Sequence, residues 1–156
     1  MKNEAELCSV ITKSLVNGYK IPDPSGMYAM TSKRAFDGIG TLVVNGELTF
    51  ICWEAKFLKR PGAFNFNRIE PWQSFYLSEY SKAKSVVSYV IVGVDYGRAD
   101  KRVFIFEWNE KMDALYKNGF SVHLKTLNTL PYNKISKSVF SFDNIIKYED
   151  LLPKNN

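Results

Sequence analysis

The chain has 156 residues, of which 46% are hydrophobic and 15% aromatic, enough to fill one core in one domain. This composition argues against disordered and repeat architectures. Its 21 Lys and Arg against 16 Asp and Glu give a net charge of +5, which favours a polyanionic partner. A basic domain with no nucleic-acid role fits the same charge.

The sequence shows neither a secretory signal nor a membrane-spanning segment, which bears on the expected cellular location. The first ten residues, MKNEAELCSV, include acids and no long apolar core, so no secretory signal is expected. The longest apolar run, VVSYVIVGV, is too short to span a bilayer. We therefore expect no membrane partner and a cytoplasmic location, in a bacterium or in the host cell of a virus.

Cys8 and Cys52 lack a CxxC spacing and are expected to be core thiols. The single histidine, His123, is expected to be structural, because a histidine cluster cannot form. Carboxylates, lysine, hydroxyls and an oxygen-bound metal remain for catalysis.

In chain order, the first predicted element is an amphipathic helix over residues 4–17, where apolar residues recur at helical spacing. A proline-containing loop follows and ends in the basic pair Lys33 and Arg34. Two β-rich runs then flank Asn45-Gly46, a strong hairpin signal. This pattern predicts strands over 38–44 and 48–56.

The segment from Lys56 to Arg68 contains no acidic residue and is predicted to be a basic loop. Phenylalanines in such a segment more often pack in the core than stack against nucleic-acid bases. A helix is predicted from Glu70 because Pro71 suits a first helical position.

The remaining elements follow from alternating and helical patterns. SVVSYVIVGVDYG and KRVFIFEW predict two strands, and NEKMDALYKNG predicts a helix that Gly119 ends. A strand at 138–142 and a helical turn after Asp143 complete the chain. The order predicts an α/β domain with a central mixed sheet flanked by helices.

One end of the predicted hairpin carries an unusual set of charges. Residues two apart share a face of a strand, so Glu54 and Lys56 project side by side. A hairpin around Asn45-Gly46 pairs residues whose numbers sum to about 91, which puts Asp37 opposite Glu54. Two facing carboxylates repel, and a hard divalent cation such as Mg²⁺ removes that conflict. A turn aspartate beside a surface ion pair is the alternative interpretation.

Three segments, FDGIG, WEAK and FNFNRIEPWQ, occur in that order. Asp37 followed by Glu54-x-Lys56 resembles the active-site signature of the PD-(D/E)XK nuclease superfamily. With the third segment, the series resembles the RecU-type Holliday junction resolvases over roughly residues 30–108. The resemblance implies a restriction-endonuclease-like core and a single nuclease domain over residues 1–156.

By this resemblance, Asp37 and Glu54 would bind Mg²⁺ or Mn²⁺, and Lys56 would be the catalytic lysine. Gln73 would be an active-site residue that contacts a water on the metal or a phosphate. An acid on the first helix, Glu6 or else Glu4, would assist, although a solvated helix terminus explains both. The residues expected to hold DNA phosphates are Lys33, Arg34, Lys59, Arg60 and Arg68.

The expected function is that of a Mg²⁺-dependent DNA endonuclease, specifically a Holliday junction resolvase. A nuclease for other DNA structures, an inactive DNA-binding domain and a structural domain of the same fold stay open as alternatives. Because symmetric junction cleavage needs two cuts, a homodimer is expected, with VVSYVIVGV, predicted to be an exposed apolar strand, and its neighbours as candidate interface.

Overall fold

The computed structural model describes residues 1–22 and 33–153. Most of the predicted proline-containing loop, residues 23–32, lies outside the described residues. The helices are α1 (Glu4–Ser14), α2 (Pro71–Tyr80), α3 (Glu110–Lys117), α4 (Leu124–Leu127) and α5 (Tyr148–Leu151). The strands are β1 (Val16–Lys20), β2 (Gly38–Val44), β3 (Glu47–Leu58), β4 (Phe64–Asn65), β5 (Val86–Asp95), β6 (Lys101–Trp108), β7 (Ser121–Val122), β8 (Asn133–Lys134) and β9 (Ile145–Ile146).

The main sheet is mixed and runs in the order β1-β2-β3-β5-β6-β8, with β9 also pairing with β6. Strands β3 and β5 are parallel, as are β6 and β9, and the other neighbours are antiparallel. Helix α1 packs on one face through Leu7 and Ile11. The opposite face is covered by α2 and α3, through Leu77 and Met112. The prediction of an α/β fold with a central mixed sheet between helices is confirmed.

The hairpin of β2 and β3 has the register predicted from its turn. Gly38 pairs with Trp53 and Val44 with Glu47, so paired numbers sum to 91 throughout. Asn45 and Gly46 have φ angles of 50° and 78°, the left-handed values that a two-residue type I′ turn requires. The turn chemistry therefore sets which residues lie opposite one another along the whole hairpin.

Several other predicted elements are present near their expected positions. Helix α2 begins at Pro71, and α3 ends before Gly119, which has a φ of 73°. Cys8 and Cys52 are buried free thiols, as predicted. Phe64 and Phe66 are fully buried in the core, so the basic loop is anchored by its aromatic residues.

The first helix is shorter than predicted. It ends at Ser14, and Val16–Lys20 forms the edge strand β1 paired with β2. The helical spacing of apolar residues continues to Leu15, but this residue is extended and packs in the α1 core. Pairing with β2 outweighs the helical pattern at this point.

The predicted strand at 138–142 is wrong. The strands of the tail are β8 and β9, on either side of that segment, and the last helical turn is α5. Phe140 and Phe142 instead pack with Tyr89 against the sheet, with ring centroids of Phe142 and Tyr89 5.8 Å apart. Aromatic burial, rather than ladder formation, accounts for the apolar pattern there.

The run VVSYVIVGV was expected to offer an interface, and this expectation is also wrong. It forms most of β5, which lies between β3 and β6 and is buried on both faces. A continuous β-branched run is typical of such a central strand with a parallel neighbour. Within residues 1–22 and 33–153, no helix is long and apolar enough to cross a membrane.

Gly38 is required by close packing at the start of β2. A Cβ at this position would overlap the Trp53 indole and lie 2.5 Å from the Tyr19 carbonyl oxygen. We expect Gly38→Ala to lower the free energy of unfolding by about 3 kcal/mol. Gly62→Ala is the control, because its Cβ would meet nothing closer than 3.9 Å. Equal urea midpoints for both variants would contradict this packing.

Candidate active site

The candidate site lies where β2 begins and β3 approaches its end. The amide of Asp37 donates to the Trp53 carbonyl oxygen at 3.0 Å, which extends the ladder by one residue and brings Asp37 to Glu54. Glu54 and Lys56 share the face of β3 that α2 covers. Asp37, Glu54 and Lys56 are only 5%, 2% and 9% exposed. Such burial argues against a surface ion pair.

Asp37 is held by one backbone and one side-chain donor. Its Oδ2 accepts a hydrogen bond of 2.8 Å from the Ala55 amide, and its Oδ1 lies 2.6 Å from the Arg34 guanidinium. The amide fixes the orientation of the carboxylate because it belongs to the neighbouring strand. The arginine neutralises its charge, which a buried carboxylate needs in the absence of another cation.

Glu54 is less fully satisfied. Its Oε1 lies 3.1 Å from Lys56 Nζ, whereas its Oε2 is buried and, in the ionised carboxylate, has no hydrogen-bond partner among the described residues. Burial raises the pKa of Glu54 from 4.5 to about 8, and the Asp37 charge and a hydrogen bond from the protonated Glu54 to Asp37 add to this rise. These effects outweigh Lys56, which lowers the pKa. The metal-free site therefore binds a proton at neutral pH.

The donor set fits a hard divalent cation. Within the described ranges, no three His, Cys, Asp or Glu side chains gather into a metal-binding group. Mg²⁺ is commonly bound by one or two carboxylates, with waters and substrate phosphates completing its shell. Asp37 and Glu54 supply those carboxylates, and the unpartnered Oε2 of Glu54 is the oxygen that a cation would satisfy.

Gln73 lies in the first turn of α2, where its side-chain Oε1 accepts a 3.0 Å hydrogen bond from the Glu70 amide. The glutamine thus caps the helix. This hydrogen bond gives Gln73 a structural role, in addition to the catalytic role that the resemblance implies.

The basic residues predicted to bind DNA fall into two groups, of which the first has contacts at or next to the site. Lys33 Nζ lies 3.8 Å from the centroid of the Trp72 ring, and Trp72 directly precedes Gln73 in the sequence. Arg34 contacts Asp37 itself. Arg68 donates to the Phe57 carbonyl oxygen at 3.1 Å, just beyond Lys56 on β3. The second group consists of exposed residues directly after β3, Lys59 and Arg60.

The two glutamates of α1 have different partners. Glu6 lies 3.5 Å from the N-terminal ammonium group and accepts a hydrogen bond from the Lys2 amide. Glu4 lies 3.6 Å from the Arg68 guanidinium. Through Arg68, Glu4 is linked to the end of β3, so it is better placed than Glu6 to influence the site.

Two features of the site had no clear sequence signal. Arg34 was expected to contact DNA, yet it pairs with Asp37, and its three-residue spacing from Asp37 was the only hint. Cys8 of α1 is buried in the core between α1 and the sheet, within reach of the Asp37 charge. Its pKa is raised to about 12, mainly by burial and then by that charge. The thiol therefore remains neutral.

No family model and no curated protein matches this chain. Asp37, Glu54 and Lys56 therefore carry the functional inference through their own geometry. That geometry is two buried carboxylates, one with an unpartnered oxygen, beside a lysine.

The raised pKa of Glu54 predicts how metal-free stability depends on pH. Folding binds a proton at Glu54 between pH 4.5 and about 8, so wild-type stability falls as pH rises through that window. Glu54→Gln cannot ionise and should escape this loss. In EDTA, we expect the melting temperature of the variant relative to wild type to rise by about 4 °C or more between pH 5 and pH 9.

The control is Glu47→Gln, which makes the same change at an exposed position of β3. Its melting temperature relative to wild type should not change over the same pH range. A constant difference for Glu54→Gln would show that Glu54 ionises normally in the folded protein.

Proposed function

We propose that this protein is a Mg²⁺-dependent DNA endonuclease that cuts branched DNA, with the four-way junction as its substrate. Mn²⁺ has the same ligand preference and would replace Mg²⁺. The observation that supports the proposal best is the buried approach of Asp37 to Glu54, which leaves Oε2 unpartnered beside Lys56. A stabilising surface pair would not bury two carboxylates at one point.

Asp37, directly before β2, and Glu54 of β3 would hold the cation between them. When bound, the cation supplies a positive charge at the scissile phosphate and acidifies its waters. Glu54 would hold the cation as the ionised carboxylate, since an adjacent positive charge favours that form over the protonated one. The ladder between β2 and β3 keeps both carboxylates in place without rearrangement of the backbone.

Lys56 would act on the phosphate. Its ammonium group is held 3.1 Å from Glu54 Oε1 and is buried, so its position is set before DNA binds. There it would stabilise the negative charge that develops on the phosphate during attack by water. A buried ammonium is more effective in this role than an exposed one, because water screens it less.

Arg34 would exchange partners when the cation binds. It is a side-chain partner of Asp37 at 2.6 Å, whereas the Ala55 amide is fixed in the strand. A cation at Asp37 therefore competes with the arginine rather than with the amide. The guanidinium also donates to the Ile21 carbonyl oxygen at 3.2 Å, and its forked donors are well suited to a DNA phosphate.

The chemistry is tested by substitution at each of the three residues. Asp37→Asn and Glu54→Gln remove ligand charge, and Lys56→Ala removes the ammonium group. We expect each change to lower Mg²⁺-dependent cleavage of a four-way junction by about 100-fold or more. DNA affinity in Ca²⁺ should persist or rise for the two carboxylate variants, which remove negative charge near the phosphates.

Glu47→Gln is the matched control on the same strand, and its cleavage rate should equal that of the wild type. Parallel assays on linear duplex and flap DNA test the substrate class. Wild-type cleavage by Asp37→Asn would refute the site. Absence of cleavage by the wild-type protein, with junction binding intact, would favour a DNA-binding domain without activity.

The exposed pair Lys59 and Arg60 tests the path of the DNA. Replacing both by Ala should weaken junction binding and reduce the slope of log K against log salt by about 2, because each phosphate contact releases counterions. The control replaces the exposed Lys125 and Lys137, which follow β6 in the chain. Equal slopes for both double variants would show that the DNA follows another surface.

A further inference from the structure

The turn between β5 and β6 has a backbone conformation that is unfavourable for two of its residues. Gly97, Arg98 and Ala99 have φ angles of 80°, 47° and 62°, all in the left-handed region. Glycine adopts this region without strain, whereas the Cβ atoms of arginine and alanine make it costly. Strained backbone is often found at binding sites, where it holds a side chain in a defined position.

Hydrogen bonds and an ion pair hold the turn in one conformation. The Gly97 amide donates to Asp95 Oδ1 at 2.7 Å, and the Asp100 amide donates to the Gly97 carbonyl oxygen at 2.8 Å. Asp95 also forms an ion pair with Lys101 on the facing strand. The tip of the turn is therefore ordered, although its three residues are exposed.

The base of the turn is supported by a second arginine. The Arg102 guanidinium contacts two tyrosine rings, 3.9 Å from the centroid of Tyr96 and 4.2 Å from that of Tyr132. Its nitrogens donate to both carboxylate oxygens of Asp100, at 3.2 Å and 3.0 Å. The Tyr96 hydroxyl donates to Asn128 Oδ1 at 2.7 Å. These contacts connect the turn to the rest of the domain through fixed side chains.

Arg98 is the long side chain at the tip of the turn. It is exposed, and its side chain forms no ion pair or hydrogen bond within residues 1–22 and 33–153. Lys101 and Arg102, by contrast, each have a carboxylate partner. The neighbours of Arg98 are the small residues Gly97 and Ala99. The tip is therefore narrow and carries one uncompensated positive charge.

The turn lies at a defined distance from the candidate site. Strands β3 and β5 are parallel, with Glu54 opposite Val90. Lys59 and Arg60, which directly follow β3, therefore lie at the same end of the sheet as the turn. Strand β5 continues from Val90 to Asp95 before the turn begins. At ~3.3 Å per residue, the tip is about 20 Å beyond Glu54 along the strands.

Duplex DNA offers a surface that complements this tip. The minor groove of B-DNA is about 6 Å wide, and where it narrows, its negative potential attracts arginine side chains. The ~20 Å between Glu54 and the tip correspond to about six base pairs at ~3.4 Å each, which is roughly half a helical turn. A duplex arm that runs from the site along β5 would therefore meet Arg98 at this distance from the cut.

We infer that the turn between β5 and β6 binds the minor groove of a duplex arm, with Arg98 inserted into the groove about six base pairs from the cut. This inference rests on the proposed function, because the distance is counted from the candidate site. The contact accounts for an arginine at a left-handed position, where glycine would be unstrained. It also accounts for the order of the turn, since an ordered turn loses less entropy on binding.

Arg98→Gly tests the contact on the intact chain. Its melting temperature should fall by no more than about 2 °C, because relief of backbone strain offsets the extra entropy of glycine in the unfolded chain. Binding is measured by fluorescence anisotropy in Ca²⁺ on two four-way junctions, which carry either A·T or G·C at base pairs four to eight of each arm. Relative to the wild type, we expect the variant to bind about fivefold more weakly to the A·T junction, whose minor groove is narrower, and less than about twofold more weakly to the G·C junction.

Lys84→Gly is the control, because Lys84 is an exposed basic residue just before β5, at the opposite end of that strand from the turn. It should bind both junctions like the wild type. Equal affinities of Arg98→Gly and the wild type for the A·T junction would overturn the inference. An equal loss on both junctions would place Arg98 on the phosphate backbone and overturn the minor-groove contact.

Binding and cleavage are measured separately, so the two proposals can fail independently. A loss of affinity confined to the A·T junction, without any cleavage by the wild type in Mg²⁺, would reject the proposed function alone. Junction cleavage by a protein whose affinity Arg98→Gly leaves unchanged would reject the minor-groove contact alone.

Discussion

The approach of two buried carboxylates, Asp37 and Glu54, is the constraint on which the site depends. The register of β2 and β3 brings them together, and the Ala55 amide fixes the orientation of Asp37. Gly38 allows the Trp53 indole to lie against the start of β2. Holding two carboxylates this close to each other costs stability. Such a cost is typical of sites that stability alone does not explain.

The site carries its own counterions. Arg34 neutralises Asp37, and Lys56 lies beside Glu54. This balance is incomplete, because Oε2 of Glu54 has no partner in the described part of the chain and the pKa of Glu54 rises to about 8. A low-dielectric site with excess acidic oxygen attracts a small, hard cation more strongly than an exposed site does. The burial that raises the pKa of Glu54 in the free protein therefore also favours binding of the proposed cation.

The sequence by itself determined the features that depend on local stereochemistry. Asn45-Gly46 selects one turn and so one register, and Pro71 marks the start of α2. Only the tertiary structure decided how the elements meet. It placed Val16 and Asn17, the last residues of the predicted helix, in strand β1. It also placed β5 in the centre of the sheet and paired Arg34 with Asp37. Turn and capping preferences act over a few residues, whereas burial, charge pairing and strand order depend on partners distant in the chain.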